Sequence, residues 1–151
     1  MVSKSKVRAL ITQAVEKALL NALPLVQEAV DTYVKDLERN MGVSSPSLGW
    51  MPLDPDSSDD KFWYETGSTS SSLVSSVSIA GNKIIARAGL PSSAEHYQEA
   101  LWNEFGWMPR NSTKLIRRAL FIPLAEMQLR ELNTKLTALF SNTRLSIKVK
   151  I

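Results

Sequence analysis

Five oxygen-bearing side chains recur at regular places in the stretch 54–65. Asp54, Asp56, Ser58, Asp60 and Glu65 take places one, three, five, seven and twelve of a twelve-residue window. Hard oxygen ligands at that spacing are what a calcium loop of the EF-hand kind uses. The same window argues against a metal. Its sixth place is Asp59, where the sharp turn of such a loop needs glycine. Pro52, just before the window, and Pro55, at its second place, do not suit an entering helix, and the glycine- and serine-rich run 67–72 does not suit a leaving one. The stretch reads as a solvated acidic loop, and neither a metal nor any other cofactor is expected.

Other chemistry-bearing residues are sparse. The one histidine, His96, sits in a short helical stretch; a histidine-activated nucleophile needs a second and third group positioned by the fold, to which nothing in the sequence points, and His96 reads as a partly exposed helix residue. Glu95 and Glu99 are one helical turn apart and suit a solvated face better than acid–base work. No phosphate loop, dinucleotide fingerprint or paired-histidine motif is present. The absence of cysteine excludes disulfides and thiolate-held metals. The reading is therefore not an enzyme.

Charge is more informative. Residues 1–40 carry six basic and five acidic groups, residues 41–72 one and five, and residues 73–151 eleven and five. An acidic middle and a basic tail can pair within one chain or between neighbouring copies. Lys114, Arg117 and Arg118 fall on one helical face at steps of three and four, suited to DNA phosphates or to the acidic loop of a neighbour. The second partner is favoured, because the same chain supplies the complementary charge. Arg8, Glu16 and Lys17 interrupt what a secretory signal would need as an apolar core. No run of about 18 apolar residues occurs, so no membrane span is expected.

The elements that must position these residues follow from periodicity. Val7, Ile11, Ala14, Ala18, Ala22, Val26, Val30, Tyr33 and Leu37 recur at steps of three or four, which predicts a helix over 4–40 that stops at Asn40 and Gly42. At 1.5 Å per residue it would be about 55 Å long, so its early part should project or lie along a partner. Pro24 should kink or split it. Residues 41–72 hold Pro46, Pro52, Pro55 and many serines and read as a long loop. The stretch 73–89 reads as strand, two-residue turn at Gly81-Asn82, and strand, with Ser75, Ser76 and Ser78 on a solvated face.

A short helix follows, capped by Ser92 or Ser93, striped by Tyr97, Ala100, Leu101 and Phe105, and ended by Gly106. A helical region over 112–142 has Pro123 opening its longer segment, with Leu124, Met127, Leu129, Leu132, Leu136 and Leu139 as the buried stripe. Ile147, Val149 and Ile151 alternate with polar residues as a final edge strand. The expected architecture is α+β: a long N-terminal helix, an antiparallel sheet of three or four strands with a β-hairpin, and helices packed on one face. Its parts would be a helical arm, 1–40, kinked near Pro24, and a core, 41–151, with the acidic loop 41–72.

The order of several short motifs resembles the tail-completion and virion-morphogenesis proteins of tailed bacteriophages. The carriers are "WMPLDPDSSDDK" from Trp50 to Lys61, "TGSTSSSLVSSVSI", the hairpin "IAGNKIIARAG", the helix end Glu104-Phe105-Gly106, and Met108-Pro109-Arg110. After Arg110 the pattern departs, because Asn111-Ser112-Thr113 replace a proline and an aromatic residue. The likeness covers about residues 45–140. It implies a small α+β structural protein of the virion tail or neck, assembled in the host cytoplasm, usually as a ring, without catalysis. The implied partners are copies of itself, head connector or adaptor proteins, and tail-tube or terminator proteins, with DNA only as passing cargo and no membrane. Trp50, Pro52, Leu53, Asp54, Asp56, Asp59, Asp60 and Trp63, with Lys114, Arg117 and Arg118, form the expected assembly interface.

Overall fold

The structure is a computed structural model, and it describes residues 3–41, 71–106, 108, 110–111, 113 and 119–141. Its elements, in chain order, are helix α1 (Lys4–Asn40), strands β1 (Val74–Ala80) and β2 (Lys83–Gly89), helix α2 (Tyr97–Phe105) and helix α3 (Phe121–Ser141). Residues 42–70 of the expected acidic loop, the basic face at 114–118 and the final strand lie outside the described residues.

Helix α1 begins where Ser3 accepts a bond from the Lys6 backbone N–H through its side chain, at 3.3 Å. It ends where the Asn40 side chain turns back to the Asp36 carbonyl (2.7 Å) and the Met41 N–H reaches the Leu37 carbonyl (2.9 Å). These bonds satisfy carbonyls that a helix end otherwise leaves unpaired. Of the two expected effects of Pro24, a kink or a split, the split does not occur: the helix continues through it. Pro24 cannot donate to the Leu20 carbonyl, but both residues are exposed, so water can take that bond. The buried residues Ala22, Val26 and Val30 hold the helix on both sides of the proline.

Helix α3 runs antiparallel to α1. The side-chain amide of Gln128 donates to the Asp36 carboxylate at 3.2 Å, and one full heptad later Lys135 meets Glu28 at 3.2 Å. Leu37, Met41, Leu120 and Leu124 make the central core cluster, with Tyr33, Leu73 and Phe121 packed against it. Of the expected α3 stripe, Leu124 is buried and Leu132, Leu136 and Leu139 are half-buried. Met127 and Leu129 are exposed, and buried Gln128 takes the intervening place. A stripe advancing by fours from Leu124 reaches 128, 132 and 136, and turns 127 and 129 away.

Among the described residues the sheet has two strands, not three or four. The core is made by helices instead: every buried apolar residue described lies in or beside a helix. The pairing runs from Val74 with Gly89 to Ala80 with Lys83, which leaves Gly81-Asn82 as the two-residue turn, with Gly81 at φ +61°. This register puts Ser75, Val77 and Ile79 on one face with Ile84, Ala86 and Ala88. The half-buried strand residues Val77, Ile84 and Ala88 all lie there, and α1 is the helix against which the ribbon packs. Ser76 and Ser78 share the outer face with Lys83 and Arg87. Ser75 does not, because neighbouring residues on a strand point to opposite faces. A lone ribbon is marginal in water, so α1 is what makes it stable.

By length and composition alone α1 could cross a bilayer, since an 18-residue window has a mean hydropathy of 1.2. This qualifies the expectation from the sequence. Gln13, Glu16 and Lys17 nevertheless share a side of the helix away from Val7, Ile11 and Ala18, although Leu20 lies among them, and a helix meant for lipid is apolar all round.

Leu124→Ala is expected to destabilise the fold by about 2–5 kcal/mol, because it empties a fully buried site. Leu10→Ala, on the exposed part of α1, should cost no more than about 0.5 kcal/mol. Urea unfolding followed by circular dichroism checks both, and equal losses would contradict this account of the core.

Candidate functional site

The most concentrated polar chemistry in the described body lies where α2 meets α3. Helix α3 starts without a local cap: Ala119 and Leu120 precede it, and neither has a side-chain acceptor. The carboxylate of Glu104, from the last turn of α2, takes that place. Its Oε2 accepts the N–H groups of Leu120 (2.8 Å) and Phe121 (2.9 Å), and its Oε1 accepts that of Ile122 (2.8 Å). Pro123 has no N–H to satisfy, and the Leu124 N–H already reaches the Leu120 carbonyl at 3.3 Å. Glu104 is only 4% exposed. An anion at a helix N-terminus is favoured by the helix dipole, and three N–H bonds repay its loss of water.

Tyr33 of α1 completes this junction. Its hydroxyl donates to the Phe121 carbonyl at 3.2 Å. Burial, and then the negative charge of Glu104, push its pKa well above the ordinary value. Gly89, at φ +128°, brings the end of β2 beside the Phe121 ring: a Cβ there would lie 3.9 Å from Cδ1. Tyr33, Gly89, Tyr97, Leu101, Glu104 and Phe121 help to line an open, mainly apolar cleft of about 260 Å³. With Glu104 committed to three backbone donors, the arrangement is that of a structural joint.

His96 lies at the start of α2, and its Nδ1 pairs with the Glu99 carboxylate. Its Nε2 lies 4.0 Å from the Glu95 carboxylate. The helix begins at Tyr97, four residues after Ser93, and has no side-chain cap. Residues 92–96 form successive turns instead, with bonds from the Ala94 N–H to the Pro91 carbonyl and from Tyr97 to Ala94. Gly106 ends the helix as expected, at φ +97°. Phe105, expected in the stripe, is exposed, and Glu104 beside it turns inward. Among the described residues no group of three acidic or histidine side chains could hold a metal.

The other candidate surface is the first half of α1. Residues 4–13 are all exposed, and the first buried residue is Ala22. The stripe that is buried at Val26 and Val30 continues outward as Ala14, Ile11 and Val7, with Ile11 55% exposed. At 37 residues α1 outruns the 21 of α3 by about 24 Å, so the body cannot cover this segment. The expected interface residues Trp50, Pro52, Leu53, Asp54, Asp56, Asp59, Asp60, Trp63, Lys114, Arg117 and Arg118 are outside the described residues.

No protein-family model matches the chain, and no curated protein and no solved structure matches it either.

Glu104→Ala is expected to cost about 3 kcal/mol or more, because it strands several inward N–H groups. Glu104→Gln, which keeps one acceptor oxygen, should cost less. Tyr33 adds a pH dependence. Below its ordinary value of 10.0 both folded and unfolded chains hold the phenolic proton. Above it the unfolded chain releases the proton while the folded chain keeps it, so stability falls as pH rises. Unfolding titrations above pH 10.0 should show a steeper loss for the native chain than for Tyr33→Phe. Parallel slopes would remove Tyr33 from the account.

Proposed function

We propose that the chain is a structural virion protein of a tailed phage. In this reading it is a tail-completion or neck protein that joins the tail to the head connector within an oligomeric ring. The carrying observation is the exposed first half of α1, where an apolar core stripe runs on beyond the body that could bury it. Soluble chains rarely leave such a face unpartnered, and assembly with further copies or with connector and tail-tube proteins would bury it. The motif order from Trp50 to Arg110 supports the virion assignment. The unequal charge of the three chain segments suits head-to-tail contacts, which close into rings when the rotation permits. A tail terminator capping the tube is the nearest alternative station.

A reading from another class rests on the excess of basic groups in 73–151, which could make the chain a DNA-binding module. Such binding would weaken steeply with salt. A gel-shift series in rising salt separates the two, and absence of any shift removes the DNA reading.

Deleting residues 48–65 should leave the domain folded by circular dichroism and abolish ring formation or head–tail joining in a particle-assembly assay. Undiminished joining by the deleted chain would sink the proposed role of that segment.

A further inference from the structure

The exposed half of α1 carries a second pattern besides its apolar stripe. With successive residues turned by about 100°, Val7, Leu10, Ile11, Ala14 and Val15 fall within an arc of about 140°. Arg8 borders one edge of that arc, Lys6 and Lys17 border the other, and Glu16 lies on the opposite side of the helix. Across 4–21 there are four basic groups and one acidic group. The first turn contains no acidic residue, so nothing there offsets the positive end of the helix dipole. The surface is thus an apolar strip between positive margins.

Two such arms would not pair with each other. Side by side they would bring eight cations against two anions, and like charges across a contact oppose association. The arm needs a partner that is apolar and acidic together. The same chain contains one: the stretch 50–65 holds Asp54, Asp56, Asp59, Asp60 and Glu65 among the aromatic residues Trp50, Phe62, Trp63 and Tyr64.

Chain length bears on whether that partner is the chain's own stretch or a neighbour's. Arg8 is 33 residues before Met41 along a helix, a distance of about 50 Å. Asp56 lies midway between Met41 and Ser71, 15 residues from each, and Leu73 packs on the same core cluster as Met41. A fully extended chain of 15 residues spans at most about 52 Å, so the chain's own acidic stretch meets the first turns of the arm, near Arg8, only when drawn out to the limit, at a heavy cost in conformational freedom. A second copy carries no such restriction.

We propose that the outer half of α1 in one copy docks the acidic, aromatic stretch 54–65 of a second copy. The contact is head-to-tail, because the two surfaces differ. The proposal deepens the assembly reading above by naming the two surfaces that meet, and rests on it only for the expectation that copies associate.

The test is a charge exchange read by sedimentation of the full-length chain. The wild type should associate, and more weakly as salt rises. The arm variant Lys4→Glu/Lys6→Glu/Arg8→Glu and the stretch variant Asp54→Lys/Asp56→Lys/Asp59→Lys should each weaken association by about tenfold or more. The chain carrying all six substitutions, with both surfaces reversed, should recover it. Circular dichroism keeps folding in view, and the arm residues are exposed, so the arm variant has no core to lose.

Association that ignores both reversals, or a sixfold variant no better than either triple variant, would overturn the proposal. So would a wild type that stays monomeric and binds vesicles of anionic phospholipid, which would assign the arm to a membrane surface. The virion reading is judged separately, by particle joining. Chains that associate as expected but fail to join particles would remove that reading and leave this contact standing.

Discussion

The body of this protein depends on one carboxylate. Glu104 leaves the last turn of α2 and caps the N-terminus of α3, sixteen to eighteen residues further along the chain. Without it, α3 would start inside the body with unmet donors and no cap of its own. With it, α2 is fixed to α3, and α3 is set against α1 through the Tyr33 bond to Phe121 and the Leu37–Leu124 core. The Phe121 ring then meets the end of the ribbon at Gly89. One buried anion and the three donors it gathers thus hold α2 and α3 in register, while the Tyr33 bond and the apolar cluster join them to α1.

Much of the architecture was legible because it is local. The bounds of α1, the hairpin turn at Gly81-Asn82, the stop at Gly106 and the place of Pro123 in the first turn of α3 each follow from a residue type and its neighbours. What was not legible depends on partners distant in sequence. Glu104 looks like one more solvent-facing acid on an amphipathic helix, and nothing within α2 says that it turns inward. The clue lay at the other end of the contact, in the missing cap residue before Phe121, since a helix start without an acceptor implies that one comes from elsewhere. Gln128 escaped for the same reason: only the Asp36 carboxylate on α1 makes its burial tolerable.

The candidate site divides along the same line. The sequence marks the acidic stretch and the basic face as complementary and leads one to expect the early part of α1 to project; the structure adds that its burial begins only at Ala22. Periodicity described that segment as helix, but could not say where the core would stop covering it. That limit is set by the length of α3, which ends while α1 runs on. The two-stranded ribbon reflects a similar shortage of cover. Its serine-rich first strand offers little apolar surface, and among the described residues it leans on α1.

The position of Pro24 has a mechanical consequence. A helix resists bending through its ladder of backbone bonds, and the proline removes one rung. That missing rung spans Leu20 to Pro24, while burial of α1 begins at Ala22. The most compliant joint of the helix therefore coincides with its exit from the body. A sideways load on the arm would bend α1 at this base first, sparing the packing around Leu37.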